Sequence, residues 1–310
     1  MSKMRILLTG GGGMVGRNLL EHPAIDEFEM LTPNSRELDL RDLGAVQSYL
    51  SRHNPDMVIH AAGKVGGIQA NMREPVAFLL DNLDMGRNIV GAARQAGIKR
   101  LINLGSSCMY PRNHSEPLAE DMVLKGELEP TNEGYALAKV VTARLCEYIM
   151  REDLSFQYKT LIPCNLYGRH DKFDPTHSHL VSAIIHKVYL AKQRGLRSVE
   201  IWGDGSARRE FLYAGDLADA IVRAITQFDA LPDVMNVGLG YDYTINEYYQ
   251  AAAEVMGYDG EFVHNLGKPV GMARKLTSIE RQQAWGWSAQ YDLQSGIEQT
   301  YQFYLQACQQ

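Results

Sequence analysis

The chain has 310 residues, of which 45% are hydrophobic and 22% charged, a composition that excludes a disordered chain, a coiled coil and a collagen-like fibre. With 31 basic and 37 acidic residues the formal net charge is −6, which argues against a dedicated nucleic-acid binder and leaves room for a local basic pocket. At ~150 residues per domain, this length corresponds to two domains or to one large α/β unit with an appendage.

The apolar run over 5–8 predicts a first strand, and Met14–Leu20 predicts the helix after it. Further strands are expected over 28–31, Met57–His60, 101–104 and 158–162, with helices over 43–50, 76–96 and 133–150 between them. Gly97 stands where the second of these helices needs a C-terminal cap. Such alternation implies βαβ units and a parallel sheet with helices on both faces. Beyond about Gly168 the pattern changes. Short strands punctuated by Gly203-Asp204-Gly205 and Gly238-Leu239-Gly240 alternate with helices over 182–193, 245–255 and 293–305. The expected fold is α/β. A Rossmann-type doubly wound parallel sheet takes residues 1–168, with later returns of the chain, and a smaller mixed α/β substrate lobe takes 169–310.

No apolar run approaches the ~20 residues that span a bilayer. The amino-terminal apolar stretch stops at Thr9-Gly10, too short for the core of an export signal. Cys108, Cys146, Cys164 and Cys308 are widely spaced with no CxxC pair, so neither a disulfide framework nor a zinc knuckle is expected. A cytoplasmic, reduced protein without membrane or nucleic-acid partner is the expectation.

Thr9-Gly10-Gly11-Gly12-Gly13-Met14-Val15-Gly16 follows the first strand and opens a helix. Glycines at 10, 13 and 16 let the backbone approach a pyrophosphate, and the helix start at Met14 and Val15 presents unpaired N–H groups to it. An ordinary flexible loop is the alternative, and the position in the first βα turn favours the dinucleotide. NAD sites usually carry an acid near the end of the second strand, but Met30-Leu31-Thr32-Pro33-Asn34-Ser35-Arg36 has none. Arg36 is matched to a 2′-phosphate, so NADP(H) is the expected cofactor; the alternative is a solvated surface charge.

Tyr135 and Lys139 are four residues apart and share one helix face. Ser106 follows the fourth strand, where ligands bind in a parallel sheet. Together they supply what carbonyl reduction needs: a phenolic proton donor, a cation that lowers its pKa, and a hydroxyl for the substrate oxygen.

Here the chain resembles the extended short-chain dehydrogenase/reductases and, within them, the GDP-L-fucose synthase family. The resemblance runs through Ala62-Gly63-Lys64-Val65-Gly66-Gly67-Ile68, Gly105-Ser106-Ser107-Cys108-Met109-Tyr110-Pro111 and Leu128-Glu129-Pro130-Thr131-Asn132-Glu133. It continues through Asn165-Leu166-Tyr167-Gly168, Ser178-His179, Trp202-Gly203, Arg209-Glu210-Phe211-Leu212 and Arg274-Lys275-Leu276. It implies two epimerisations and one NADPH-dependent reduction of a GDP-4-keto-6-deoxy sugar at a single site. Ser106, Tyr135 and Lys139 then match the reductase triad, Cys108 the base that takes a proton beside the ketone, and His179 the acid that returns one. The resemblance further implies substrate contacts at Asn165, His179, Lys187, Trp202, Arg209 and Lys275, and a homodimer paired through the helices over 76–96 and 133–150.

His170, His177, Asp171 and Asp174 near His179 do not follow a zinc spacing, and no metal is expected. Several positions depart from the family pattern: Gly11-Gly12 in place of bulkier, often basic residues, Gly134 in place of proline, Ala214-Gly215-Asp216, Val270-Gly271-Met272-Ala273, and Ser278 in place of aspartate. These lie near the sugar and nucleotide pockets, so the substrate is left open among GDP-4-keto-6-deoxymannose, the 3,6-dideoxy sugar of GDP-L-colitose synthesis and a GDP-4-keto-6-deoxyheptose. A non-catalytic sugar-nucleotide sensor on the same scaffold is the reading from another class, and the intact triad weighs against it.

Overall fold

The amino-terminal apolar runs pair in parallel, β1 (Arg5–Thr9) lying between β2 (Glu29–Leu31) and β3 (Met57–His60). β4 (Arg100–Leu104) and β5 (Gln157–Pro163) continue the sheet in the same direction. The computed structural model describes residues 3–174, 178–268 and 272–308; His177, Val270 and Gly271 lie outside the described residues. Between these strands run α1 (Met14–Leu20), α2 (Leu43–His53), α3 (Ile68–Arg73), α4 (Pro75–Gln95) and α5 (Glu133–Glu152). α2 is capped by Asp42, whose carboxylate accepts the Ala45 N–H at 3.1 Å. α4 begins on Pro75, and Gly97, at φ +75°, turns the chain out of the helix as Ile98 N–H bonds Ala93 O.

The chain then forms β6 (Asn165–Tyr167), α6 (Leu180–Gln193), β7 (Ser198–Trp202), β8 (Arg208–Arg209), β9 (Phe211–Tyr213), α7 (Ala214–Thr226) and β10 (Val234–Val237). It closes with β11 (Tyr243–Thr244), α8 (Ile245–Met256), β12 (Glu261–Asn265), β13 (Arg274–Lys275), α9 (Glu280–Ala284) and α10 (Leu293–Cys308). β10 pairs with β5, giving a six-stranded sheet in the order β2-β1-β3-β4-β5-β10. The expected doubly wound sheet is therefore present. Two segments left out of the sequence expectation complete the architecture: α7, which packs its apolar face on the sheet and turns Asp219, Arg223 and Thr226 outward, and β10, a four-residue edge strand too short to show a period.

Strand alternation divides the core. Leu7, Val58, Leu101 and Tyr158 face α2, α4 and α5, with Val46, Ile89, Val90, Cys146 and Ile149 packed upon them. Ile6, Leu8, Met57, Ile59, Ile102 and Leu161 face the other way, onto Leu19 of α1 and Leu217, Ile221 and Ile225 of α7. A third cluster builds the smaller lobe, where Val181, Ile184 and Val188 of α6 meet Val199, Ile201, Tyr248 and Ile297. Tyr248 and Tyr249 are buried there, whereas Tyr241 is exposed.

The carboxyl ends of β1 and β3 flank the point where strand order reverses, the place at which such sheets take ligands. Backbone contact there is very close. A Cβ on Gly10, whose φ is +76°, would stand 2.7 Å from Ala62 N, and one on Gly16 only 2.4 Å from Gly10 O. Gly12 faces open space. Gly16→Ala is expected to lower stability by about 1–3 kcal/mol through this overpacking, and Gly12→Ala to change it by under about 0.5 kcal/mol, in urea unfolding.

Candidate active site

The glycine turn forms a cradle. Gly13 N–H bonds Gly10 O at 3.0 Å, Arg17 N–H bonds Gly13 O at 2.9 Å, and no acidic residue stands in the first turn of α1. Free amides and the positive helix end therefore face the same opening, with Met14 and Val15 half-buried beneath. These features fit a dinucleotide pyrophosphate. Arg36 lies past β2 in a turn where Asn34 Oδ1 accepts the Arg36 N–H at 2.9 Å. Its guanidinium is exposed, with no ion pair among the described residues, as a phosphate ligand must be.

Two strands along from β1, β4 ends at Leu104, and the Ser106 hydroxyl caps the turn that follows by accepting the Cys108 N–H at 3.2 Å. α5 brings Tyr135 and Lys139 to the same place. Lys139 is buried, and its Nζ donates to Leu104 O at 2.9 Å while lying 5.9 Å from the centre of the Tyr135 ring. Ser106, Cys108, Tyr135 and Lys139 thus form one cluster at the carboxyl end of β4.

Burial pulls the Lys139 ammonium down to about 8, opposed by the Cys108 sulfur. The Tyr135 phenol is pushed up, first by burial and then by Cys108, with a hydrogen bond from Ser106 opposing the shift. The ammonium was expected to lower the phenol; in this geometry it is drawn onto the Leu104 carbonyl, and burial dominates. The phenol is therefore fully protonated at neutral pH, the state a proton donor needs.

Two further residues complete the cluster, and the sequence reading assigned neither of them a role. His60, at the end of β3, is buried, with Nδ1 2.9 Å from Thr9 Oγ1; burial first and Lys139 second hold it neutral, at about 3. Asn132 Nδ2 donates to Cys108 Sγ at 3.2 Å. No spacing in the sequence marks either contact.

His179 stands half-buried at the start of α6. It adjoins the turn after β3, where a Cβ on Gly67 would lie 3.7 Å from Ser178 O. Its charge lowers the Asp171 carboxyl, which burial raises overall. Asn165 opens β6, and its Nδ2 donates to Glu210 O at 3.0 Å. The Glu210 carboxylate, itself buried, collects N–H groups from Leu239, Gly240 and Thr277 at 2.7–3.0 Å and so pins the loop after β10.

Strand pairing sorts the cations of the smaller lobe. β8 and β13 run parallel, with Arg208 beside Arg274 and Arg209 beside Lys275. On one face Asp242 takes both guanidinium groups, Arg208 Nε at Oδ1 and Arg274 Nε at Oδ2, each at 2.5 Å. Burial raises the Asp242 carboxyl, but these two hydrogen bonds outweigh it and hold it below its usual range. On the alternate positions Arg209 and Lys275 have no carboxylate partner among the described residues, so this pair suits a diphosphate. Arg209 is instead fixed by donating from Nη1 to Arg208 O at 2.7 Å.

Lys187 and Trp202 sit together on another edge. The Lys187 ammonium donates to the Glu200 carbonyl, and the Trp202 indole N–H to Glu200 Oε1 at 3.0 Å. Among the described residues, no cluster of three or more His, Cys, Asp or Glu side chains is placed to hold a metal ion.

Residues 6–238 match the model of the NAD dependent epimerase/dehydratase family. The chain belongs to this family. It is 55% identical over 302 residues to a GDP-L-colitose synthase of Yersinia pseudotuberculosis, covering 97% of this chain and 98% of that one. It is 50% identical over 301 residues to a GDP-L-fucose synthase of Azorhizobium caulinodans, covering 97% and 96%. Among solved structures, a GDP-6-OMe-4-keto-L-xylo-heptose reductase from C. jejuni superposes with a TM-score of 0.90 at 28% identity over 99% of both chains. A GDP-L-fucose synthetase from Naegleria fowleri bound to NADP superposes with a TM-score of 0.88 at 25% identity, covering 100% of this chain and 96% of that one. The chain is accordingly an NAD(P)-dependent epimerase/reductase.

A reductase role for this cluster needs Lys139 charged, so cofactor oxidation is expected to be sustained below about pH 8 and to fall as the pH rises through that value. Lys139→Met should lose that limb together with at least ~10²-fold in rate, read as cofactor oxidation against pH.

Proposed function

We propose that the chain converts a GDP-4-keto-6-deoxy sugar, with NADPH, by epimerisation beside the ketone followed by reduction of the ketone itself. The observation that carries this reading is the single cluster of Ser106, Cys108, Tyr135 and Lys139 beside the glycine cradle. A 4-keto group acidifies the hydrogens on C3 and C5. The Cys108 sulfur takes the proton, the carbon–hydrogen electron pair passes into an enolate, and His179 returns a proton on the opposite face.

When bound, reduced nicotinamide supplies the hydride. Ser106 holds the ketone oxygen, and Tyr135 gives its phenolic proton to the oxygen as it gains charge. Arg209 and Lys275 receive the diphosphate, Lys187 and Trp202 flank the nucleotide, and Asn165 the sugar. Arg36, exposed and in no ion pair among the described residues, favours the 2′-phosphate of NADPH over NADH.

With GDP-4-keto-6-deoxy-D-mannose, inversion at C3 and C5 and then reduction yields GDP-L-fucose. A second reading is favoured by the 55% identity to a GDP-L-colitose synthase: inversion at C5 alone, on the 3,6-dideoxy sugar. Each keto sugar should be offered with NADPH and with NADH and the products resolved by NMR. Preference for the 3-hydroxy compound supports the fucose reading, and preference for the 3-deoxy compound the colitose one. Tight binding of both without oxidation of NADPH would overturn the enzymatic account.

The homodimer is part of the same proposal. Val76 and Leu80 of α4, with Leu137, Val141 and Tyr148 of α5, form an exposed apolar stripe across two adjoining helices. Pairing two such faces makes a four-helix bundle that covers them. Light scattering is expected to give twice the chain mass at micromolar concentration, and a monomer there would contradict the pairing.

A further inference from the structure

Asn132 occupies the N-cap position of α5, where an asparagine side chain ordinarily accepts a backbone N–H from the first helical turn. It makes no such bond. Its Nδ2 donates instead to Cys108 Sγ at 3.2 Å, and its Oδ1 is buried with no hydrogen-bond partner among the described residues. An uncapped helix end and an unpaired buried carbonyl are both unfavourable, and a neutral thiol, a weak acceptor, returns little in exchange. A thiolate returns more, since hydrogen bonds to an ionised acceptor are the strong ones. Asn132 also lines, with Phe78, Gly134 and Tyr135, a cavity of about 270 Å³.

We propose that Asn132 is the positioning residue of Cys108: its carboxamide fixes the sulfur in place and stabilises it as the thiolate that removes the proton beside the ketone. The role of the thiolate rests on the function proposed above. The other groups facing the sulfur are the Tyr135 phenol and the Lys139 ammonium of α5, both coupled to it electrostatically, and Ser106, which accepts the Cys108 N–H. Lys139 acts through its charge and is shared with Leu104 O, whereas Asn132 donates directly to the sulfur. When the thiolate takes its proton, a carbon–hydrogen bond breaks, an S–H bond forms and the electron pair enters the enolate; no other reactant is required.

The test is the rate of iodoacetamide alkylation at Cys108 against pH, read by peptide mass spectrometry on the whole protein without substrate. Cys146 and Cys164 are buried, and exposed Cys308 serves as the internal reference. Asn132→Ala should move the alkaline rise at Cys108 upward by about one pH unit, the loss of one hydrogen bond to the charged form, and leave Cys308 unmoved. Asn132→Asp, nearly isosteric, should move it further, because its carboxylate repels a thiolate. NADPH binding, followed by fluorescence, reports that each variant is folded; if the alanine variant is not, the aspartate variant decides. Solvent deuterium incorporation beside the ketone should slow about tenfold in Asn132→Ala, in step with the alkylation shift. Superimposable alkylation curves for the wild type and the folded variants would overturn the role of Asn132. Full-rate deuterium incorporation in Cys108→Ser would overturn the proposed role of Cys108 instead, and the alkylation result would stand apart from it.

Discussion

A single buried ammonium organises the centre of this protein. Lys139 reaches the end of β4 from within α5 and donates to the Leu104 carbonyl, in surroundings that disfavour its charge. The position is set by how closely α5 lies against α4: a Cβ on Gly86 would fall 2.1 Å from Thr142 Oγ1. The turn after β3 closes over the same ammonium, 3.8 Å from where a Gly63 Cβ would stand. Buried, and beside that charge, His60 cannot take a proton. Packing between two helices thereby determines which of the neighbouring groups are charged.

The smaller lobe applies strand alternation to the same end. Four cations on two short parallel strands would repel one another if all faced one way. Pleating sends Arg208 and Arg274 to one face, where Asp242 neutralises them, and leaves Arg209 and Lys275 on the other. The buried carboxylate of Glu210 lies between them in sequence and is spent on backbone amides, so it does not cancel the open pair. A charge field of one sign survives because its potential partners are occupied elsewhere.

Function is concentrated where strands end and rigid helices begin, and local stability is given up there. The glycine turn carries a left-handed residue at Gly10, and Asn132 forgoes the capping bond that Asp42 and Thr244 make for their own helices. Both features persist because the sheet beneath them, apolar on its two faces, holds the backbone whatever the turn residues do.

Much was legible in the chain itself. Periodicity marked β1, β3, β4, α4 and α5 to within a few residues, the glycine spacing marked the tight turn from β1 into α1, and four-residue spacing put Tyr135 and Lys139 on one helix face. These follow from repeat lengths that a linear chain displays. What the fold alone decided were contacts between segments with no common period: α7 and β10 joining the sheet, Asn132 reaching a sulfur 24 positions away, His60 lying under Lys139, and Asp242 selecting which arginines remain free. Such pairings depend on burial and on the register of strands far apart in the chain, and neither quantity is written in local order.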